Sequence, residues 1–224
     1  AGGGTDVSPY SDIYGGYILN ATISLYAYAT IIPRSDGKVI ITSYDKDEKY
    51  EYPAEKELPV DGRLDLIKGV YNRLVRIYNL SPLSFEISTF VDAPPGSGLG
   101  TSSTLCTAIL GAFVEWLQLP LGEYEIARLA YEVERIDLKM AGGKQDQYAA
   151  TFGGVNFMEF YGEDKVIVNP LRIRSEYLDE LAHNLVLCWS GTSRLSGKII
   201  EEQQENVKNN KSSSVEAMHY IKEQ

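Results

Sequence analysis

The sequence predicts an α+β protein, on three observations. Strand-period alternation of apolar residues dominates the chain up to Val91, apart from one helical stretch. Helical periodicity dominates after it. At the junction, the alternating run Phe85 to Val91 leads into Gly96, Gly98 and Gly100, and then into a helix that opens on hydroxyl residues.

Taken in order, Gly2-Gly3-Gly4-Thr5-Asp6 reads as a tight, permissive turn carrying a carboxylate, and by itself as an Asx-type turn. Gly15-Gly16 then breaks the chain before a β-rich, mostly apolar stretch from Tyr17 to Thr30, whose Tyr26 and Tyr28 share one face for core or edge packing. Lys38 to Tyr44 and Lys49 to Tyr52 read as paired strands around the acidic tip Asp45 to Glu48. Leu64, Ile67, Val70, Tyr71, Leu74, Val75 and Tyr78 recur at helical spacing, which predicts an amphipathic helix over 62–79, stopped by Ser81-Pro82.

Beyond the glycine loop, Leu105 to Val114 reads as a helix, and a second helix runs from Leu121 to about Asp137. That second helix carries Glu132, Glu134 and Asp137 near its C-terminal end, where the dipole disfavours carboxylates unless they meet a cation. Pairing with Arg128, Arg135 and Lys139 is the plainer explanation. Gln145 to Phe152 reads as a short helix with Asp146 at its favourable N-terminal end. Val155 to Phe160 and Lys165 to Val168 follow as strands, Ser175 to Ala182 as a helix, and Asn184 to Trp189 as a buried strand delivering the polar turn Ser190 to Arg194. A helix starts near Leu195, and Asn209 to Ser214 reads as a mobile linker between helices.

The 224 residues fit one large domain or two small ones. A formal charge of −10 with no basic stretch argues against nucleic acid as a partner, so any phosphate would be recognised by local donors. Cys106 and Cys188 lie in apolar runs and read as buried small hydrophobes, which points to a reducing compartment. No stretch is apolar and long enough for a membrane span, and no secretory segment is visible; a cytoplasmic location is expected. Because the chain opens on Ala1-Gly2-Gly3-Gly4 without a methionine, upstream sequence is expected to be missing.

A strand, a glycine-rich loop and a helix start together describe an anion site. Glycines let the backbone turn its N–H groups inward, and the helix N-terminus adds unpaired donors and a positive dipole end. The P-loop pattern fails because no lysine follows Gly100, and the dinucleotide fingerprint fails because the spacing is Gly-x-Gly-x-Gly. What remains, Pro94-Pro95-Gly96-Ser97-Gly98-Leu99-Gly100-Thr101-Ser102-Ser103, resembles the phosphate loop of the GHMP kinases, the superfamily of galactokinase, homoserine kinase, mevalonate kinase and phosphomevalonate kinase.

That resemblance extends in order from Asp6 to Arg194 and implies a two-lobed α+β fold. The N-terminal lobe would be of the ribosomal protein S5 domain 2-like type and the C-terminal one ferredoxin-like and truncated, with residues 1–152 binding ATP and residues 153–224 starting the second domain. Pro95, Gly96, Ser97, Gly98, Leu99, Gly100, Thr101, Ser102 and Ser103 would hold the ATP phosphates. Gly143-Lys144-Gln145-Asp146-Gln147 is similar to the segment bearing the catalytic aspartate, which implies that role for Asp146. Glu134, twelve residues earlier, matches the magnesium-binding glutamate, with Glu132 as the alternate and Ser102 as the second Mg²⁺ ligand. Gly4-Thr5-Asp6 is similar to a sugar-holding turn, so Thr5 and Asp6, with Gly143, Lys144 and Arg194, are the implied substrate residues. Arg194 pairing with Glu201 or Glu202 is the alternative for that side chain.

Within the superfamily, the wording of the first turn, the glycine loop and Gly142-Gly143-Lys144-Gln145-Asp146-Gln147-Tyr148-Ala149-Ala150 most resembles the D-glycero-D-manno-heptose 7-phosphate kinases. The implied reaction moves the γ-phosphoryl of ATP to the anomeric hydroxyl of a phosphorylated sugar, in a monomer or homodimer. A galactokinase or fucokinase type of sugar kinase, and a sensor that binds ATP and sugar without turnover, stand beside it. Two departures are visible. The basic residue that the superfamily supplies before its substrate turn would precede Ala1, and its glycine-rich third motif does not occur before Gln224.

Overall fold

The computed structural model describes residues 4–94, 96–186, 188, 196–209 and 211–223. In chain order the first elements are α1 (Tyr10–Tyr14), β1 (Gly16–Ala21), β2 (Ala27–Pro33), β3 (Lys38–Ser43), β4 (Glu48–Pro53), α2 (Asp65–Tyr78) and β5 (Phe85–Val91). They continue with α3 (Thr101–Leu117), α4 (Glu123–Glu132), a π-helical turn Val133–Asp137, and α5 (Gln145–Phe152). β6 (Val155–Phe160), β7 (Val166–Pro170), α6 (Ser175–Asn184), α7 (Ser196–Lys208) and α8 (Ser212–Glu223) complete the chain.

Two compact units form. One comprises Ala1–Ile23, Gly96–Gly98 and Ala141–Gln224, the other Ser24–Pro95 and Leu99–Met140. Phe152, the expected boundary, lies inside the first of these at the end of α5.

The second unit is built on a four-stranded sheet in the order β2-β5-β3-β4. The β3–β4 hairpin turns at the acidic tip, and α2 then carries the chain back so that β5 runs parallel to β3, with Val39 opposite Phe85 and Ile41 opposite Ile87. Those four side chains are buried together with Ile67, Val70, Tyr71 and Leu74 of α2 and Cys106, Ile109, Leu110 and Phe113 of α3. Phe85 meets Phe113 edge to face at 5.3 Å between centroids. The buried Tyr71 hydroxyl is satisfied at both ends, donating to Glu55 O at 2.5 Å and accepting from Leu83 N at 3.1 Å. On the exposed face of the edge strand β2, Tyr28 packs against Phe90, and Tyr26, exposed just before the strand, packs against Tyr28. Asn79, in the left-handed region at φ 47°, ends α2.

In the first unit, β1, β6 and β7 form an antiparallel sheet, with β1 paired to β6 from Gly16–Phe160 through Ala21–Val155. Tyr148 of α5 packs edge-on against Phe160 of β6 at 6.2 Å. Tyr10, Val207 and Met218 form a separate apolar cluster that joins α1 to α7 and α8.

Several expectations are corrected. The apolar stretch 17–30 is two strands that belong to different sheets, separated at residues 22–26. Asn184 to Trp189 is not a buried strand. Residues 185, 186 and 188 carry no strand and are exposed, while Leu187 and Trp189 lie outside the described residues. Cys188 is therefore exposed, and Cys106 is the buried thiol. The linker expected over 209–214 is shorter, because Ser212 already starts α8. Among the described residues no helix is long and apolar enough to cross a membrane.

Candidate active site

The loop after β5 has the backbone of an anion nest. Gly96, Gly98 and Gly100 stand at φ 72°, 75° and 69°, whereas Ser97 and Leu99 between them avoid the left-handed region. Alternating conformations of opposite hand turn successive N–H groups toward one side, which makes a concavity for an anion. A Cβ on Gly98 would meet nothing within 4 Å among the described residues, so glycine is required there for its dihedral. The loop is pinned at both ends. Asp92 Oδ2 accepts from Tyr26 N at 2.8 Å, and Gly100 O receives the amide and hydroxyl of Thr104 at 3.0 and 2.9 Å. The hydroxyl of Ser97 is buried and has no hydrogen-bond partner among the described residues, which suits a polar ligand in the loop. Pro95 lies outside the described residues.

The start of α3 meets the π-helical turn. Ser102 Oγ donates to Glu134 Oε1 at 2.6 Å, and Ser103 Oγ donates to Glu134 Oε2 at 2.7 Å. Glu134 is fully buried, and Arg135 stands 3.9 Å from its Oε2. The π turn, closed by Leu138 N to Val133 O at 2.9 Å, sets the direction in which Glu134 leaves the helix. Glu132 and Asp137 point elsewhere. Arg73 bridges them at 3.1 and 2.9 Å, and Arg128 adds a bond to Glu132 at 3.0 Å. The two metal-ligand candidates, Ser102 and Glu134, are thus brought together, and the alternate Glu132 belongs to an ion-pair network with α2. A buried carboxylate beside a hydroxyl is a hard-oxygen donor set that fits Mg²⁺. Burial pushes the Cys106 thiol well above its usual range, and the Glu134 carboxylate adds to the shift.

In the other unit, the turn at Thr5-Asp6 and the start of α5 are locked together. Thr5 Oγ1 donates to Tyr17 O at 2.9 Å and accepts from Tyr17 N at 3.2 Å. Asp6 is fully buried. Its Oδ2 accepts the backbone amide of Gln145 at 2.8 Å, and its Oδ1 accepts the Gln145 side-chain amide at 3.2 Å. Gly143 lies so close beneath this carboxylate that a Cβ on it would stand 2.6 Å from Asp6 Cγ. Lys144 is buried, with its ammonium 3.4 Å from Asp12 Oδ1 and 3.3 Å from Asp164 Oδ1. Asp146 is exposed on the first turn of α5. Arg194 lies outside the described residues. Asp12 was not singled out in the sequence. Ser103 was expected as a phosphate-loop residue, and its bond to Glu134 was not expected.

The mixed-sheet unit thus carries three helices, with two serines at the start of α3 bonded to a buried glutamate of the π turn. Residues 65–154 match the family described as GHMP kinases N terminal domain. The chain belongs to the GHMP kinase family and has its α+β fold.

Over 223 residues the chain is 54% identical to the D-glycero-alpha-D-manno-heptose 7-phosphate kinase of Campylobacter jejuni, covering 100% of this chain and 65% of that protein. The chain therefore spans about two thirds of the length of this relative. A crystal structure of a D-glycero-D-manno-heptose 1-phosphate kinase from Bacteroides thetaiotaomicron is 54% identical with a TM-score of 0.82, covering 96% of this chain and 70% of that one. Lactococcus lactis galactokinase complexed with galactose, at 23% identity and a TM-score of 0.62 over 75% of this chain and 45% of that one, shares the fold.

Proposed function

We propose that this chain forms the nucleotide- and sugar-binding part of an ATP-dependent kinase that phosphorylates the anomeric hydroxyl of D-glycero-D-manno-heptose 7-phosphate. The product is the 1,7-bisphosphate, which feeds synthesis of nucleotide-activated heptose for surface polysaccharide. The observation that carries this reading is the 54% identity to a heptose 7-phosphate kinase along the whole chain, together with the bond between Ser102 and the buried Glu134. An N-terminal lobe of the S5 domain 2-like type and a ferredoxin-like C-terminal lobe are part of the same proposal.

Phosphoryl transfer asks for positioning and charge neutralisation more than for covalent chemistry. The backbone amides from Gly96 to Ser102 cradle the β- and γ-phosphates. Ser102 and Glu134 would hold Mg²⁺, which would supply positive charge to offset that of the phosphates. Asp146 orients the sugar hydroxyl and accepts its proton. Lys144 and Arg194 are the candidates for the substrate phosphate or the transferring group, with Thr5 beside the sugar, and the guanidinium of Arg194 suits a bidentate grip. The sugar-facing role of Asp6 is refined below.

An ADP-release screen of the full-length protein against heptose 7-phosphate, galactose, fucose and mannose tests the proposal. Turnover with heptose 7-phosphate at a kcat/KM at least about a hundredfold above the neutral sugars is expected. Preference for a neutral sugar moves the assignment to another sugar kinase, and ATP binding without ADP release favours a sensor.

A further inference from the structure

We infer that Asp6 is a positioning residue for Asp146, acting on the first turn of α5 and not as a direct grip on the sugar. The inference rests on the assignment of Asp146 to the reaction. Asp146 is the second residue of α5, and the helix has no side-chain cap from its own N-cap residue, Lys144. The first amide of the helix, that of Gln145, is instead received by Asp6, which lies 139 residues away in the sequence. A carboxylate at a helix N-terminus satisfies an otherwise open donor and meets the positive dipole end.

Asp6 is fully buried, and both of its oxygens are used by Gln145 through the main-chain and side-chain amides. Gly143 supplies the floor, where any side chain would overlap the carboxylate. Gly143 is absent from the positive-φ glycines, so its conformation admits alanine and the requirement for glycine is one of space. Gly16 plays the same part on the opposite flank, where a Cβ would stand 2.6 Å from the carbonyl carbon of Thr5. Two close backbone approaches thus clamp the Thr5-Asp6 turn and fix the direction from which its carboxylate reaches α5. The residue next to the capped amide is the one assigned to the acceptor hydroxyl. A misplacement of about 1 Å there is enough to slow a positioned transfer about a hundredfold.

The test uses Asp6→Ala, Asp6→Asn, Gly143→Ala and the Asp6→Ala/Gly143→Ala double variant. Steady-state kinetics with ATP and heptose 7-phosphate are paired with hydrogen exchange at the Gln145 amide. Asp6→Ala and Gly143→Ala should each lower kcat by about ten- to a hundredfold, with both KM values within about threefold of the parent. Asp6→Asn keeps one oxygen for the Gln145 amide and should recover most of the loss. The double variant should be no slower than either single one, because the new methyl fills the space that the carboxylate leaves. A rise in sugar KM with kcat unchanged in Asp6→Ala overturns the inference in favour of a direct sugar contact, and multiplicative losses in the double variant overturn the coupling. Should the parent fail to phosphorylate this sugar, the substrate assignment falls by itself. Hydrogen exchange still decides on the tether, with faster Gln145 exchange in Asp6→Ala supporting it and unchanged exchange refuting it.

Discussion

Ser102 Oγ stands 2.6 Å from Glu134 Oε1, a bond between residues 32 positions apart that joins the start of α3 to the π turn. The neighbouring Ser103 occupies the other oxygen from a buried position. The pair of serines thereby divides two tasks. Ser103→Ala should cost about 1–2 kcal/mol of folding stability, because it leaves a buried carboxylate oxygen short of a donor. Ser102→Ala should cost less stability but raise the Mg²⁺ concentration needed for half-maximal activity by about tenfold. Urea unfolding and Mg²⁺ titration of the two variants check this division, and identical phenotypes would contradict it.

The glycine nest makes a second expectation. Gly98→Ala meets no atom of the described residues, so its effect comes from the left-handed φ, about 1–2 kcal/mol of local strain. Relaxation of that strain would turn the adjacent amides out of the nest. ATP affinity should fall about tenfold while the melting temperature shifts by only a few degrees. Isothermal titration with a non-hydrolysable ATP analogue measures the first quantity and calorimetry the second.

The two thiols should behave in opposite ways. Cys106 is buried against Ala130 O, and its thiol is pushed well up by burial, whereas Cys188 is exposed. Alkylation of the native protein at neutral pH should modify Cys188 alone, and Cys106 should react only after unfolding. Peptide mass mapping reads the outcome directly.

A pH dependence follows from the buried Lys68, whose ammonium bonds Asp61, Asp65 at 2.8 Å and the Tyr52 hydroxyl at 3.4 Å. Burial alone would lower its pKa, but the hydrogen bonds to Asp61 and Asp65 outweigh burial and hold it above 10.5. The hydrogen bond from Lys68 holds Asp61 below 3.8. The raised lysine contributes stability that is complete below pH 10.5 and lost above its folded pKa. The depressed aspartate contributes stability that is present above pH 3.8 and lost as pH falls through its folded pKa. Lys68→Met should therefore flatten the acid limb of stability against pH below about pH 4, as measured by urea midpoints. A parallel shift at all pH values would contradict it.

Much of this was legible in the sequence where the signal is local. β5, α5 and β6 fall on their expected residues because each is a short alternating or helical run bounded by glycine or by a polar cap. The division of 17–30 into two strands was not legible, since the apolar character continues through Leu25 while the two halves pair with β6 and β5 respectively. α1 spans five residues, too few for a helical period to register. Asn184 to Trp189 reads as buried from composition, but burial depends on a covering partner, which sequence periodicity does not supply. At the site, the glycine loop and Asp146 announce themselves by motif. The bond between Ser103 and Glu134 and the clamp of Asp6 on Gln145 join positions 31 and 139 residues apart and leave no local trace.

The account turns on the exposed carboxylate at the start of α5. Asp146→Asn, assayed in the full-length protein with heptose 7-phosphate, should lower kcat by about 10²–10⁴ while leaving ATP affinity within about threefold. A kcat close to that of the parent would remove Asp146 from the chemistry and, with it, the kinase mechanism proposed for this site.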